Sequence, residues 1–298
     1  MVEIANDSFL APKIAFVAAD PAVVSDDFLE RCFLQGYECY AIPFDSGGRT
    51  KARVQLLIES FHETILFFTI DRRLELNAWV DYIRNLQNDY GGRTRIGVVY
   101  GTTDNDAVQA RLSETFLWDI GIQAGCIALS YSYKKNQSFL LEVLSANDAG
   151  GRRKVIRLNC GATYRLNVVK GNEKLQACLL DLSISHLSAQ FLGADPGFDV
   201  GSKVPDVQLN LGGALVLVNL RTALKRVQNG QLTYVFVFQW SRDQTQSSDY
   251  LQKKVNAFIF REYQKSMTEL FSRPEEAEEH AVPALSRAGG QAGSSSAP

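Results

Sequence analysis

The sequence predicts an α/β unit followed by an all-β unit with a closing helix. Two patterns carry that expectation. Across residues 13–144, short apolar runs alternate with amphipathic stretches of helical length, the pattern of a doubly wound parallel sheet with right-handed crossovers. From residue 164 to 239 the helical period disappears, and short turn-bounded runs alternate apolar and polar residues, the mark of a small closed antiparallel barrel. A chain of 298 residues also exceeds one typical core. The expected division is a tail at 1–10, an α/β domain at 11–146, a linker at 147–151, a barrel with its C-terminal helix at 152–272, and a disordered tail at 273–298.

Taken in order, residues 13–18 read as an apolar strand, and Asp20-Pro21 opens a helical pattern through Val24, Phe28, Leu29 and Cys32 that stops at Gly36. Residues 37–43 return as a strand, 51–61 are amphipathic, and 64–70 form a third strand ending at Asp71. A helix over 76–86 carries Trp79, Ile83 and Leu86 on one face. A strand at 95–100, a helix at 107–117, a strand at 125–130 and a helix at 138–144 complete the first unit.

In the second unit, Leu166 and Val168 alternate with Arg165 and Asn167, and a strand follows at 175–182. Leu187, Ala189 and Phe191 alternate with Ser188 and Gln190, as do Val207, Leu209 and Leu211 with Gln208 and Asn210. Runs at 214–226 and 232–239 flank Asn229-Gly230, the strongest short hairpin signal. From Ser248, a candidate helix cap, the residues Leu251, Val255, Phe258, Ile259, Tyr263, Met267 and Leu270 form one apolar stripe that packs on the barrel or on the other domain.

Composition excludes several classes of function. A net charge of −2 points to neither nucleic acid nor an anionic membrane, so any anion site must be local. Apolar runs such as 65–70 and 214–218 are far too short to span a bilayer, and Met1 to Leu10 holds Glu3 and Asp7 and lacks a basic leader, which reads as cytoplasmic. Cys32, Cys39, Cys126, Cys160 and Cys178 form no C-x-x-C pair, and His62, His186 and His280 are scattered, so no metal site is expected. Neither a phosphate loop nor a nucleophile elbow is present, and the chain is not expected to be an enzyme.

Five strand and helix pairs in this order resemble a response-regulator receiver domain, whose landmarks map here onto Asp20, Asp71, Thr102 or Thr103, and Ser130-Tyr131. A receiver has an acidic pair after its first strand and a Lys ending its fifth. Only one acid stands at the first position, and Lys134 and Lys135 lie beyond the second. Phosphoryl transfer needs both the metal and the lysine, so the expectation is a pseudo-receiver used for packing, dimerisation or partner binding.

The local anion site is sought where the domains join. Arg152, Arg153 and Arg157 form R-R-x-x-x-R, and guanidinium forks match phosphate oxygens and the acceptor edge of guanine. Asp181 and Ser183 follow, two apart on an extended segment and therefore on one side of it. This order and separation resemble the PilZ family, whose signature is R-x-x-x-R followed by (D/N)-x-S-x-x-G. The resemblance covers the C-terminal half and implies a barrel that binds cyclic di-GMP. Its phosphates and guanines would be held by Arg152, Arg153 and Arg157, with Asp181 accepting from guanine N–H groups and Ser183 bonding base or phosphate.

The closing glycine of the signature is His186 here. If that position requires φ > 0, the substitution costs on the order of 1 kcal/mol. The resemblance further implies ligand-driven domain rearrangement and a protein partner in motility, pilus or secretion machinery. The alternative is an adaptor that binds no nucleotide and acts through protein contacts alone.

Overall fold

The structure is a computed structural model describing residues 13–18, 24–43, 49–61, 63–70, 75–101, 106–130, 132–150, 155–161, 163–240 and 248–272. Strand β1 (Ile14–Ala18) leads through α1 (Asp26–Leu34), β2 (Cys39–Ala41), α2 (Arg49–Ser60), β3 (Thr64–Ile70) and α3 (Leu76–Tyr90) to β4 (Thr94–Gly101). Helix α4 (Asp106–Ser113), β5 (Gly125–Leu129) and α5 (Tyr133–Ala146) follow. Every strand pair is parallel, in the order β2-β1-β3-β4-β5, so the chain reverses its march across the sheet between β1 and β3. Right-handed crossovers put α1 on one face and α2 to α4 on the other, and a hydrogen bond from Arg31 Nη1 to Gln137 Oε1 (3.0 Å) places α5 beside α1. Strand β1 is buried along its whole length and β3 in all but its last residue, as expected for strands covered on both faces.

The expected elements differ from the observed ones at their ends. The helix expected from Asp20 begins at Asp26, because Ser25 adopts an extended conformation and accepts from Phe28 N at 3.3 Å. It stops where expected, with Gly36 at φ 85°. Helix α4 leaves the α-helical path at Glu114 and continues as a π-helix over Glu114–Ile120, ended by Gly121 in the left-handed region. Helix α5 starts five residues before the expected position 138. The receiver landmarks Asp20, Asp71, Thr102, Thr103 and Tyr131 lie outside the described residues, as do both terminal tails.

Gly97 on β4 faces the ring of Phe67 on β3, with no room for a side chain. A methyl group there would sit 2.7 Å from Phe67 Cδ1 and Cε1 and 3.1 Å from Gly125 O. Phe67 is fully buried and has nowhere to go. Gly97→Ala is expected to cost about 1–3 kcal/mol by overpacking, read as a lower urea midpoint.

The second sheet comprises β6 (Leu158–Asn159), β7 (Arg165–Lys170), β8 (Glu173–Leu182), β9 (His186–Phe191), β10 (Lys203–Leu211), β11 (Ala214–Gln228) and β12 (Gln231–Phe238). Strands β7 to β12 close into a six-stranded antiparallel barrel, because β8 pairs both β7 and β9, with β6 attached outside to the end of β8. Alternation holds along β10 and β11, where Val207, Leu209, Leu211, Val216, Val218 and Leu220 are buried. Asn229 and Gly230 both have positive φ, 51° and 76°, which makes the β11–β12 loop a two-residue hairpin turn.

Helix α6 (Ser248–Phe271) starts with Ser248 as its first residue, where a cap was expected. Its stripe divides between two cores. Leu251, Val255, Phe258 and Ile259 join the barrel core, whereas Phe260 and Met267 join the core of the first sheet. Tyr263 and Ile156 pack against both. Asn147 to Gly150, expected as linker, lies on the first unit. Asn147 and Ala149 are buried, and the Asn147 side-chain amide donates to Ala124 O at 3.2 Å and Val143 O at 2.9 Å.

Candidate functional site

Backbone pairing brings the two halves of the motif together. Strand β6 runs antiparallel to the end of β8, with Leu158 opposite Leu182 and Asn159 opposite Asp181. Arg157 directly precedes the Leu158–Leu182 pair, and Ser183 directly follows it. Cys160 N donates to Leu180 O at 2.7 Å, locking the pairing from the other side. Of the six expected site residues, Ser183 and His186 touch, Asp181 stands at the end of β8 two positions before Ser183, Arg157 precedes β6, and Arg152 and Arg153 lie outside the described residues.

Asp181 is half-buried near the end of β8. Ser188 on β9 donates its hydroxyl to Asp181 Oδ2, whereas Asp181 Oδ1 is buried without a partner among the described residues. A buried carboxylate oxygen of this kind is an acceptor in want of a donor, and such exceptions call for an explanation. Cys160 stands nearby. Burial holds its thiol well above the ordinary range, and the negative charges of Asp181 and Glu262 add to the effect.

Ser183 is fully buried, and its hydroxyl organises the tight turn joining β8 to β9. Ser183 Oγ donates to His186 O at 2.9 Å and accepts from His186 N at 3.1 Å and Ser185 N at 3.3 Å. The His186 ring closes the same turn, with Nδ1 lying 2.9 Å from Ser183 Oγ and 2.8 Å from Ser185 Oγ. Two donors at and just after the end of β12 hold the turn to the barrel, Phe238 N to Ser185 O at 3.1 Å and Trp240 Nε1 to Ile184 O at 3.2 Å. The Trp240 ring stacks on Phe238, with centroids 4.5 Å apart and planes 19° apart.

The expected strain at His186 is absent. His186 is the first residue of β9, paired with Val237, and the only non-glycine residues with positive φ among the described residues are Asp148, Asp206 and Asn229. No glycine is needed at this position. His186→Gly is expected to destabilise the protein by about 1 kcal/mol, since it adds chain entropy within a strand and removes the ring from two hydroxyls. A urea denaturation series checks the sign.

Within this geometry the barrel finds its counterparts among solved structures. It is similar to solved PilZ domains. The PilZ domain of YcgR from Escherichia coli, solved with c-di-GMP, is 17% identical over 40% of this chain and 98% of its own, with a TM-score of 0.32. MrkH of K. pneumonia in its c-di-GMP complex is 12% identical over 40% of this chain and 55% of its own, with a TM-score of 0.34. The Bacillus subtilis inhibitor of motility MotI is 10% identical over 38% of this chain and 52% of its own, with a TM-score of 0.32. No family model matches the chain, and no curated protein matches it.

Sequence reasoning missed Ser185, Ser188, Cys160, Trp240 and Tyr263. Trp240 bonds Ile184 in the turn across 56 positions and Tyr263 bonds Arg157 across 106, so no local spacing signals them. Among the described residues, no group of His, Cys, Asp and Glu is arranged to hold a metal, and no helix is long and apolar enough to cross a membrane.

Proposed function

We propose that this chain is a non-enzymatic receptor for cyclic di-GMP, with the arginine segment as its cationic arm and the β8–β9 turn as its seat. The observation that supports the reading is the β6–β8 pairing of Leu158 with Leu182 and Asn159 with Asp181, which joins the chain next to Arg157 to the end of β8 although Asp181 lies 24 positions beyond Arg157 in sequence. Arg152, Arg153 and Arg157 supply forked donors for phosphate oxygens and for guanine O6 and N7. Asp181 Oδ1 supplies the acceptor for guanine N1 and N2 hydrogens, once ligand displaces whatever covers it. Ser183 acts through the turn it closes, and His186 holds that hydroxyl in place. The division of the chain at 147–151 belongs to the same proposal, with a protein partner of motility, pilus or secretion machinery downstream.

Calorimetric titration of the full chain with cyclic di-GMP tests this. Submicromolar to micromolar binding that weakens with salt is expected, and no heat at high nucleotide concentration would overturn it. A second reading, an adaptor that binds no nucleotide, draws on the complete burial of Ser183 and the use of its hydroxyl within the turn. An unchanged melting temperature with nucleotide, together with a stable protein partner in a pull-down, would favour it.

A further inference from the structure

Gly150 and Arg157, on either side of the arginine motif's start, are each tied to the corner where α6 meets the first unit. Gly150 forms an antiparallel bridge with Tyr37, which lies between α1 and β2. Tyr263 on α6 donates its hydroxyl to Arg157 O at 2.7 Å. The Tyr263 ring meets Phe33 of α1 edge-on, with centroids 5.5 Å apart. Phe33 in turn packs edge-on against Phe260 of α6 at 5.1 Å and Tyr40 of β2 at 5.6 Å. Ile156, immediately before Arg157, touches both hydrophobic cores.

A phenylalanine at 263 would satisfy the ring packing equally well. The hydroxyl is the part that reaches Arg157, and it holds the backbone carbonyl just before β6, where a small shift re-aims the guanidinium relative to Asp181. We infer that Tyr263 is a positioning residue for Arg157, through which the seating of α6 on α1 sets the geometry of the ligand site. This rests on the cyclic di-GMP reading above for its functional consequence. The coupling must be reciprocal, so nucleotide that binds one placement of Arg157 better also favours the α6–α1 contact that produces it.

Tyr263→Phe and Phe33→Leu in the full chain test the inference, with three readouts: melting temperature, hydrogen–deuterium exchange of the peptide over 155–160 without nucleotide, and calorimetric titration with cyclic di-GMP. Tyr263→Phe is expected to leave the melting temperature within a few degrees of wild type, to speed exchange in that peptide, and to weaken nucleotide binding about three- to tenfold. Phe33→Leu, remote from the motif, is expected to weaken binding in the same direction.

Wild-type affinity in Tyr263→Phe with unchanged exchange would overturn the inference and leave the nucleotide reading standing. Absence of heat with the wild-type chain would overturn the nucleotide reading. Exchange would then decide the tether alone, with faster exchange in Tyr263→Phe supporting it and unchanged exchange refuting it.

Discussion

Replacing Arg157 by alanine is expected to weaken cyclic di-GMP binding by ten- to a hundredfold and to leave the fold intact. Hydrogen bonds to a charged partner contribute about 1.5–3 kcal/mol each, and each 1.4 kcal/mol is roughly tenfold in affinity. Arg157 is exposed, so truncating its side chain opens no core cavity. Tyr263 bonds the backbone carbonyl of Arg157, which alanine retains, so the variant removes the guanidinium and spares the tether. Arg153→Ala is expected to act with similar size, and the double variant to show no binding at accessible concentrations. Isothermal titration at two salt concentrations is the measurement. An Arg157→Ala protein that binds as tightly as wild type, with the same salt dependence, would place the ligand elsewhere.

The fold was legible where burial is periodic and local. Strand β3 was read to the residue from its apolar run interrupted only by Thr69, because a strand covered on both faces needs no alternation. The six barrel strands followed from period two, and Asn229-Gly230 fixed one hairpin because only such residues take two successive positive φ angles cheaply. Strand β6 was not legible, since two residues carry no period and its only support is the partner strand. Nor was the π-helix after α4 visible, because its residues are ordinary helix formers up to Gly121.

At the site, the sequence named the residues, and their burial assigned some of them other roles. D-x-S spacing puts Asp181 and Ser183 on one side of an extended strand, but Ser183 already lies beyond β8, where its hydroxyl turns inward to close the chain reversal. His186 read as a defect because a signature position was assumed to need a glycine conformation. Register with Val237 gives it ordinary strand geometry. The stripe on α6 announced a buried face without saying against what, since apolarity alone does not distinguish one core from two.

The second large effect is expected at Glu38, just before β2 and beneath the aromatic corner that receives α6. Burial pushes its carboxyl up to about 7, against an ordinary value of 4.5, and the hydrogen bond from Tyr40 Oη at 2.6 Å offsets only part of that rise. The folded protein therefore keeps this proton up to about pH 7, whereas the unfolded chain releases it near pH 4.5. Below pH 4.5 both states are protonated and the group takes nothing from stability. Between pH 4.5 and 7 the folded state binds more protons than the unfolded one, so stability falls as pH rises, and above pH 7 the loss is complete at about 3 kcal/mol.

Glu38→Gln keeps an oxygen for Tyr40 and removes the charge. It is expected to stabilise the protein by about 1–3 kcal/mol at pH 8 and to have little effect near pH 4.5, so the difference between variant and wild type should grow across that window. Thermal melts of both proteins at pH 4.5, 6 and 8 cancel the contributions of all other carboxylates. A variant equally destabilised at every pH would show that a neutral group is not what this site favours. Because Tyr40 packs on Phe33, which Tyr263 and Phe260 also touch, the charge on Glu38 lies one ring away from the contact that seats α6. The stabilisation gained by neutralising it should therefore be felt first as slower exchange along α6.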